Sequence, residues 1–462
     1  MKIQLVQTGL DNRYMKNGRD MMAFPLGISA VASYVKHYNP EANIEIVDGD
    51  FETNLEKRLD GDIICFCPNI LNIDIGLMQK LHGLGKTVIL GGVHASQAWK
   101  EFVKFPFVDY VIRGDGEKPV LEASLGKPLD EIEGLSSEKK EGSFQYLPIG
   151  ELPIIDRSLY DFERYLKNSE IFIETYLPSR PFRRMANIYT SKGCIWRETT
   201  GGCYFCGRLY PEFSARPPKQ VWEEASYLVK DYNVDFLWDV SDSFTSSTEW
   251  LKKMAETRPE GISPYWYVYA RVDELNEKNL RLLSKIGVYQ ALIGVETGDN
   301  RISEQICKGN NRENTIETAR LAKKHGIKLL PSFVVGLPNE TEKSLEKTFE
   351  LAKEIVEINQ CEEISVSMII PLPGSKAYPE LKKIYREKTG RELPLLLEGE
   401  ELQKIWFEYM CQTDFDTAVS YMYKILELTP LKSTFGSPHL EIDPRMPGWN
   451  QLNAEARQKL FA

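Results

Sequence analysis

Residues 191–208 read SKGCIWRETTGGCYFCGR, and the rest of the chain is arranged around them. They hold Cys194, Cys203 and Cys206, three of the eight cysteines in a chain of 462 residues. Cys203 and Cys206 form a C-x-x-C, a spacing that lets two thiolates reach one metal centre. Eight residues separate Cys194 from Cys203. Among these, Thr199, Thr200, Gly201 and Gly202 predict a pliable loop that folds Cys194 back toward the pair. A structural zinc site wants four protein ligands. The nearest further Cys or His residues in sequence are His94 and Cys307. Three cysteines suit an iron–sulfur cluster with one iron left open; zinc and an incidental grouping are the alternatives.

Length and composition set the frame. A chain of 462 residues has room for two or three domains. No apolar run approaches the ~18–20 residues of a membrane span. Met1 leads straight into a predicted strand over 2–7, which leaves no room for a signal peptide. The formal charge of -10 argues against a large nucleic-acid footprint. The other five cysteines are scattered, as expected in a reducing cytoplasm.

Upstream, short apolar strands alternate with amphipathic helices. Strands are predicted over 3–6, 44–47, 63–67, 87–90 and 110–112, and helices over 26–37, 73–82 and 119–125. This alternation predicts a parallel sheet covered on both faces, which binds ligands at the carboxyl ends of its strands. The stretches that follow those ends are Phe24-Pro25-Leu26-Gly27, Gly91-Gly92-Val93-His94-Ala95 and Arg113-Gly114-Asp115-Gly116-Glu117. Each alone is more often just a turn; paired glycines also let backbone approach a bulky ligand. Residues 131–142 are charged and aperiodic, and read as a surface connector.

Downstream, six strand–helix units follow. Strands are predicted over 187–190, 236–240, 266–270, 291–295, 329–335 and 364–369, with helices over 220–231, 247–256, 277–286, 312–325 and 342–356 between them. Polar segments follow the strands: Asp239-Val240-Ser241-Asp242, Ala270-Arg271-Val272-Asp273, Gly294-Val295-Glu296-Thr297-Gly298, and Val334-Val335-Gly336-Leu337-Pro338-Asn339-Glu340-Thr341. Any one of them could be an ordinary strand cap. Residues 376–462 predict helices over 381–388, 402–411 and 416–428, with an aromatic tone that is usually core packing and a tail, 433–447, of little periodicity.

The three-cysteine loop after a first strand, with Phe205 before the last cysteine, resembles the radical SAM superfamily. The commonest spacing there is C-x3-C-x2-C, and this loop is five residues longer. The resemblance implies a 4Fe-4S cluster on Cys194, Cys203 and Cys206, whose open iron takes the amino and carboxylate groups of S-adenosylmethionine (SAM). Reduction there cleaves SAM to a 5′-deoxyadenosyl radical. It also implies SAM contacts from Phe205, Asp242, Arg271, Glu296, Val335, Gly336, Leu337 and Pro338, with Arg271 pairing the SAM carboxylate and 335–338 beside adenine.

FPLGISAVASYV, GGVHAS and VDYVIRGDGE, in this order, resemble the cobalamin-binding domain of cobalamin-dependent radical SAM enzymes. Contacts to cobalamin are then expected from Arg13, Pro25, Leu26, Gly27, Gly91, Gly92, Val93, His94, Ala95, Gly114, Gly116 and Glu117, and from Pro68, Asn69 and Leu71 under the corrin. Cobalt-ligating domains carry D-x-H-x-x-G after the first strand; here Arg13 replaces the histidine, and an arginine stays protonated. The combined expectation is an α/β protein. A Rossmann-like cobalamin-binding domain would occupy 1–140 and a connector 141–185. A radical SAM (β/α)6 partial TIM barrel would follow over 186–375, then a mainly helical region over 376–462. The activity so implied is a C-methyltransferase; ring contraction, cyclisation or rearrangement without methyl transfer is the other reading. Its partners would be a small-molecule or peptide substrate and an electron donor such as flavodoxin or ferredoxin.

Overall fold

The structure, a computed structural model, describes residues 1–7, 23–49, 51–52, 54–68, 74–394 and 399–433. These fall into two compact units. The first comprises the described residues up to Tyr165 together with Gly207–Leu209, and the second comprises Leu166–Cys206 and the described residues from Tyr210 onward.

The first unit is built on a six-stranded sheet: β1 (Lys2–Gln7), β2 (Asn43–Asp48), β3 (Ile63–Phe66), β4 (Thr87–Leu90), β5 (Tyr110–Ile112) and β6 (Leu135–Ser136). Its order is β2-β1-β3-β4-β5-β6. The first five are parallel and β6 runs antiparallel to β5. All four residues of β3 are buried, as a strand covered on both faces requires. Strand order reverses between β1 and β3, which makes that point the usual ligand crevice of such sheets. The helices Leu26–Tyr38, Ile75–Gly83 and Glu117–Ser124 stand where periodicity placed them.

Two expectations are corrected in this unit. The segment 131–142 is not only surface connector: Ile132, Leu135 and Ser136 are buried, and the last two form the edge strand β6. It is too short for periodicity to reveal. The stretch after β4 is not an open loop either, because Gly92–Gln97 is a short helix with Gly91 as its N-cap.

The second unit holds a seven-stranded sheet: β7 (Met185–Ile188), β10 (Phe236–Asp239), β11 (Tyr265–Arg271), β12 (Val288–Glu296), β13 (Lys328–Val335), β14 (Glu363–Met368) and β15 (Leu431–Ser433). Its order is β7-β10-β11-β12-β13-β14-β15, parallel throughout. A separate two-stranded ribbon pairs β8 (Ser191–Lys192) with β9 (Ser214–Ala215). The expected strand–helix units are all present, joined by the added edge strand β15. Helix signals are local. Ser247, Asn276 and Thr341 each accept a backbone N–H as N-caps, and Gly287 ends its helix at φ 104°. Trp222, Trp266 and Trp406 are fully buried in this unit, and the Phe182 and Phe236 rings stack at 3.9 Å.

Candidate functional site

Because the strands of the second unit are parallel, their carboxyl ends share one edge, where barrel chemistry is placed. The cysteine loop leaves that edge after β7. The ribbon β8–β9 closes the loop at its base. Gly193, at φ 70°, is required there, because a Cβ would stand 2.1 Å from the Glu212 carbonyl oxygen.

The loop is more ordered than its Thr and Gly residues suggest. Ile195–Thr200 is a helix; the Cys194 Sγ caps it by accepting the Arg197 N–H at 3.3 Å, and Gly201 ends it at φ 78°. The Cys206 N–H donates to the Cys203 carbonyl, closing the C-x-x-C turn. The helix is then fastened downstream. Trp196 Nε1 donates to the Cys307 carbonyl at 2.9 Å, and a Cβ at Gly309 would collide with the Trp196 ring at 2.5 Å. The Tyr204 N–H donates to the Ile306 carbonyl, the Tyr204 hydroxyl to Glu380 at 2.5 Å, and Lys376 Nζ to the Gly202 carbonyl.

Behind the loop lies a buried network at the ends of β7 and β10. Asp239 accepts from the Thr190 N–H, the Thr190 hydroxyl and the Ser241 hydroxyl at 2.8–3.1 Å. Burial outweighs these donors and pushes its carboxyl group up to about 7. The turn so formed lets Asp242 Oδ2 accept the Gly193 N–H at 2.9 Å, so the residue expected at SAM anchors the cysteine loop.

Arg271 ends β11. Its guanidinium donates to Asp273 Oδ2 at 3.0 Å and the Lys308 carbonyl at 2.6 Å, reaches Cys203 Sγ at 3.8 Å, and lies 4.3 Å from the Trp196 ring centroid. Glu296 ends β12 in a left-handed conformation, φ 67°, and holds buried Lys308 at 2.7 Å. Gly294 makes room for this pair, since a Cβ would meet both partners within 2.5 Å. Burial alone would depress the Lys308 ammonium, but the Glu296 carboxylate and Cys203 sulfur hold it above its ordinary value. Burial raises the Cys194 and Cys203 thiols, opposed at Cys203 by Lys308 and Arg271.

The donor set fits a cluster. The three cysteines are partly buried, each sulfur accepts from an N–H group, and two guanidinium groups stand beside them. Among the described residues no group of three or more His, Cys, Asp or Glu is gathered for a single metal ion.

At the end of β13, Val335, Gly336, Leu337 and Pro338 form a buried turn with Gly336 at φ 84°. Glu340 Oε2 accepts from the Gly336 N–H at 2.6 Å and the Leu337 N–H at 3.3 Å. The Gly336 carbonyl accepts from Trp406 Nε1 at 2.7 Å and Cys411 Sγ at 3.2 Å. Phe205, partly buried, is in the cysteine turn. Sequence reasoning did not single out Arg197, Trp196, Lys308 or Glu340; in the sequence Glu340 is only a member of the strand-end segment 334–341.

In the first unit, Pro25, Leu26 and Gly27 follow β1 and open the helix Leu26–Tyr38. Pro68 follows β3, Gly91–Ala95 follow β4, and Gly114, Gly116 and Glu117 follow β5. All are therefore at the carboxyl edge of the parallel sheet. Gly27 borders open space, and Val93 is exposed. Gly92 has a nearer cause for its identity than ligand room: at φ 84°, a Cβ would meet Cys67 Sγ at 2.5 Å. Gly114 likewise faces the Gln145 carbonyl, 2.0 Å from where its Cβ would be. His94 is buried, edge-on to the Phe102 ring at 5.4 Å. Arg13, Asn69 and Leu71 lie outside the described residues, as does the tail from 434 onward.

Residues 188–352 match the radical SAM superfamily. The chain is 26% identical to an uncharacterized methyltransferase of Pyrococcus horikoshii, over 77% of each chain. It is 25% identical to the anaerobic magnesium-protoporphyrin IX monomethyl ester cyclase of Rubrivivax gelatinosus, over 63% of this chain and 53% of that one. Its fold is similar to that of the radical S-adenosylmethionine methyltransferase TsrM of Kitasatospora setae, solved with cobalamin and a 4Fe-4S cluster bound. The TM-score is 0.69 at 14% identity, covering 92% of this chain and 91% of that one.

Proposed function

We propose that this protein, whose residues 188–352 match the radical SAM superfamily, is a cobalamin-dependent radical SAM enzyme that methylates an unactivated carbon of a small-molecule or peptide substrate. The observation that carries this reading is the cysteine loop held at the carboxyl edge of a parallel sheet, in a chain whose fold follows a cobalamin-containing methyltransferase over 92% of its length.

When bound, the cluster supplies the electron that cleaves SAM, and cobalamin carries the methyl group. The chain's own share is placement. Cys194, Cys203 and Cys206 would hold the cluster. Asp242 fixes the loop through Gly193, and Arg271 fixes it through Trp196 and the Lys308 carbonyl. Glu296 and the turn 335–338 present polar and backbone groups at the same edge, suited to the polar groups and adenine of SAM. The positions after β1, β3, β4 and β5 suit cobalamin, because ligands of such sheets lie at the strand-order reversal.

The reading is tested by anaerobic reconstitution with iron, sulfide and cobalamin, followed by incubation with SAM. Release of 5′-deoxyadenosine is expected, together with a product heavier by about fourteen mass units in cell extract, traceable with deuteromethyl-SAM. The triple variant Cys194→Ala, Cys203→Ala, Cys206→Ala should lose the cluster absorbance and SAM cleavage yet keep cobalamin. A triple variant with full iron and sulfide content would refute the assignment. The similarity to the cyclase favours the second reading, cyclisation or rearrangement, in which a product forms without the added methyl.

A further inference from the structure

The longer spacer between Cys194 and Cys203 is occupied by the helix Ile195–Thr200, and Arg197 on that helix reaches back to two of the three cysteines. Its backbone N–H donates to Cys194 Sγ at 3.3 Å. Its guanidinium donates to the Cys206 carbonyl at 3.2 Å and to Cys206 Sγ at 3.6 Å. The side-chain stem lies against Gly202, whose Cβ would stand 3.0 Å from Arg197 Cγ, so the glycine keeps the arginine's path open.

The charges of the neighbouring cations differ in one respect. Arg271, which reaches Cys203 Sγ, is paired with Asp273, and Lys308 is paired with Glu296. Among the described residues Arg197 has no carboxylate partner. No carboxylate at ion-pair distance therefore offsets its charge at the sulfurs. Hydrogen bonds to cluster sulfurs and local net charge are the levers by which a protein sets a cluster's reduction potential. A cation and N–H donors favour the reduced, more negative state.

We propose that Arg197 is a positioning residue that raises the reduction potential of the cluster held by Cys194, Cys203 and Cys206, using the helix that the longer spacer provides. This rests on the cluster reading above. The couple takes up one electron and breaks no bond; in the test an electrode with mediators supplies that electron.

The experiment is a redox titration, followed by electron paramagnetic resonance, of the reconstituted full-length protein without SAM, as wild type, Arg197→Gln and Arg197→Lys. Iron and sulfide are assayed in each. With equal iron, Arg197→Gln should be about tenfold less reduced at a fixed poise, 59 mV for one electron, and Arg197→Lys should stay close to wild type. An unchanged potential in Arg197→Gln, or equal shifts in both variants, would overturn the proposal. Should Arg197→Gln take up less iron, Arg197→Lys decides. Full iron and a near-native potential there support a role for the charge. Lost iron there shows a residue needed for assembly instead. A wild type that holds no cluster refutes the cluster reading itself, a separate outcome.

Discussion

The surroundings of Glu340 make the stability of the fold depend on pH. Its carboxyl group is fully buried, with Oε2 occupied by the Gly336 and Leu337 N–H groups and Oε1 without a hydrogen-bond partner among the described residues. Burial outweighs the two donors and pushes it from 4.5 up to about 8. A carboxyl group raised in the fold binds its proton where the unfolded chain has already lost it. Its contribution therefore becomes unfavourable as pH rises from about 4.5 to about 8, and the cost is complete above that. A tenfold difference in proton affinity between folded and unfolded chain is worth about 1.4 kcal/mol. Glu340→Gln keeps an acceptor for the turn and cannot ionise. It should flatten the decline of stability across this window, gaining a few kcal/mol relative to wild type between about pH 5 and about pH 8.5. Urea unfolding at several pH values checks this; parallel pH profiles for the two proteins would disprove it.

At the scale of the element, the junction between β4 and the helix Gly92–Gln97 turns on one glycine. Gly92 needs a left-handed backbone, φ 84°, and its missing Cβ leaves room for Cys67 Sγ at the end of β3. Gly92→Ala meets two penalties: about 1–2 kcal/mol for the conformation and about 1–3 kcal/mol for overpacking. Adding Cys67→Ala removes the sulfur and should return the second part while leaving the first. Urea midpoints of the single and double variants separate the two. No recovery in the double variant would show that backbone conformation alone makes Gly92 necessary. The cysteine loop follows the same logic. Its Thr and Gly residues suggested pliancy, but Cys194 and Gly201 are the two caps of a short helix.

At the scale of the whole molecule, the C-terminal region completes the second unit. The helices Ala377–Thr389, Gly399–Met410 and Phe415–Leu426 bring Trp406 and Phe407 to the turn after β13. Trp406 is fully buried and donates to the Gly336 carbonyl, and the Phe407 ring fills the space a Cβ at Gly336 would need. Trp406→Ala should cost about 3–5 kcal/mol, leave that carbonyl without its indole donor, and loosen the turn proposed to lie beside adenine. SAM affinity, measured by calorimetry, should fall with it. Trp406→Phe keeps most of the volume and should lose only about 1 kcal/mol. Undiminished SAM affinity in the alanine variant would remove the turn from the binding site. No helix among the described residues is long and apolar enough to cross a membrane.

The sequence alone determined most of the elements and their order. Strand and helix periodicities are local, and the caps Ser247, Asn276 and Thr341 lie beside the residues they serve. It also determined the three cysteines, because a ligand set announces itself by residue type and spacing. Only the tertiary structure decided what the site residues hold. Arg271 is bound to the Lys308 carbonyl and close to Cys203, Asp242 to Gly193, Glu296 to Lys308, and Gly336 to Trp406. Those partners come from other strands and loops, and they meet only when the parallel strands bring their carboxyl ends to one edge. The edge strand β6 was hidden for the complementary reason. Two residues carry no period, and it is the antiparallel pairing with β5 that makes them a strand.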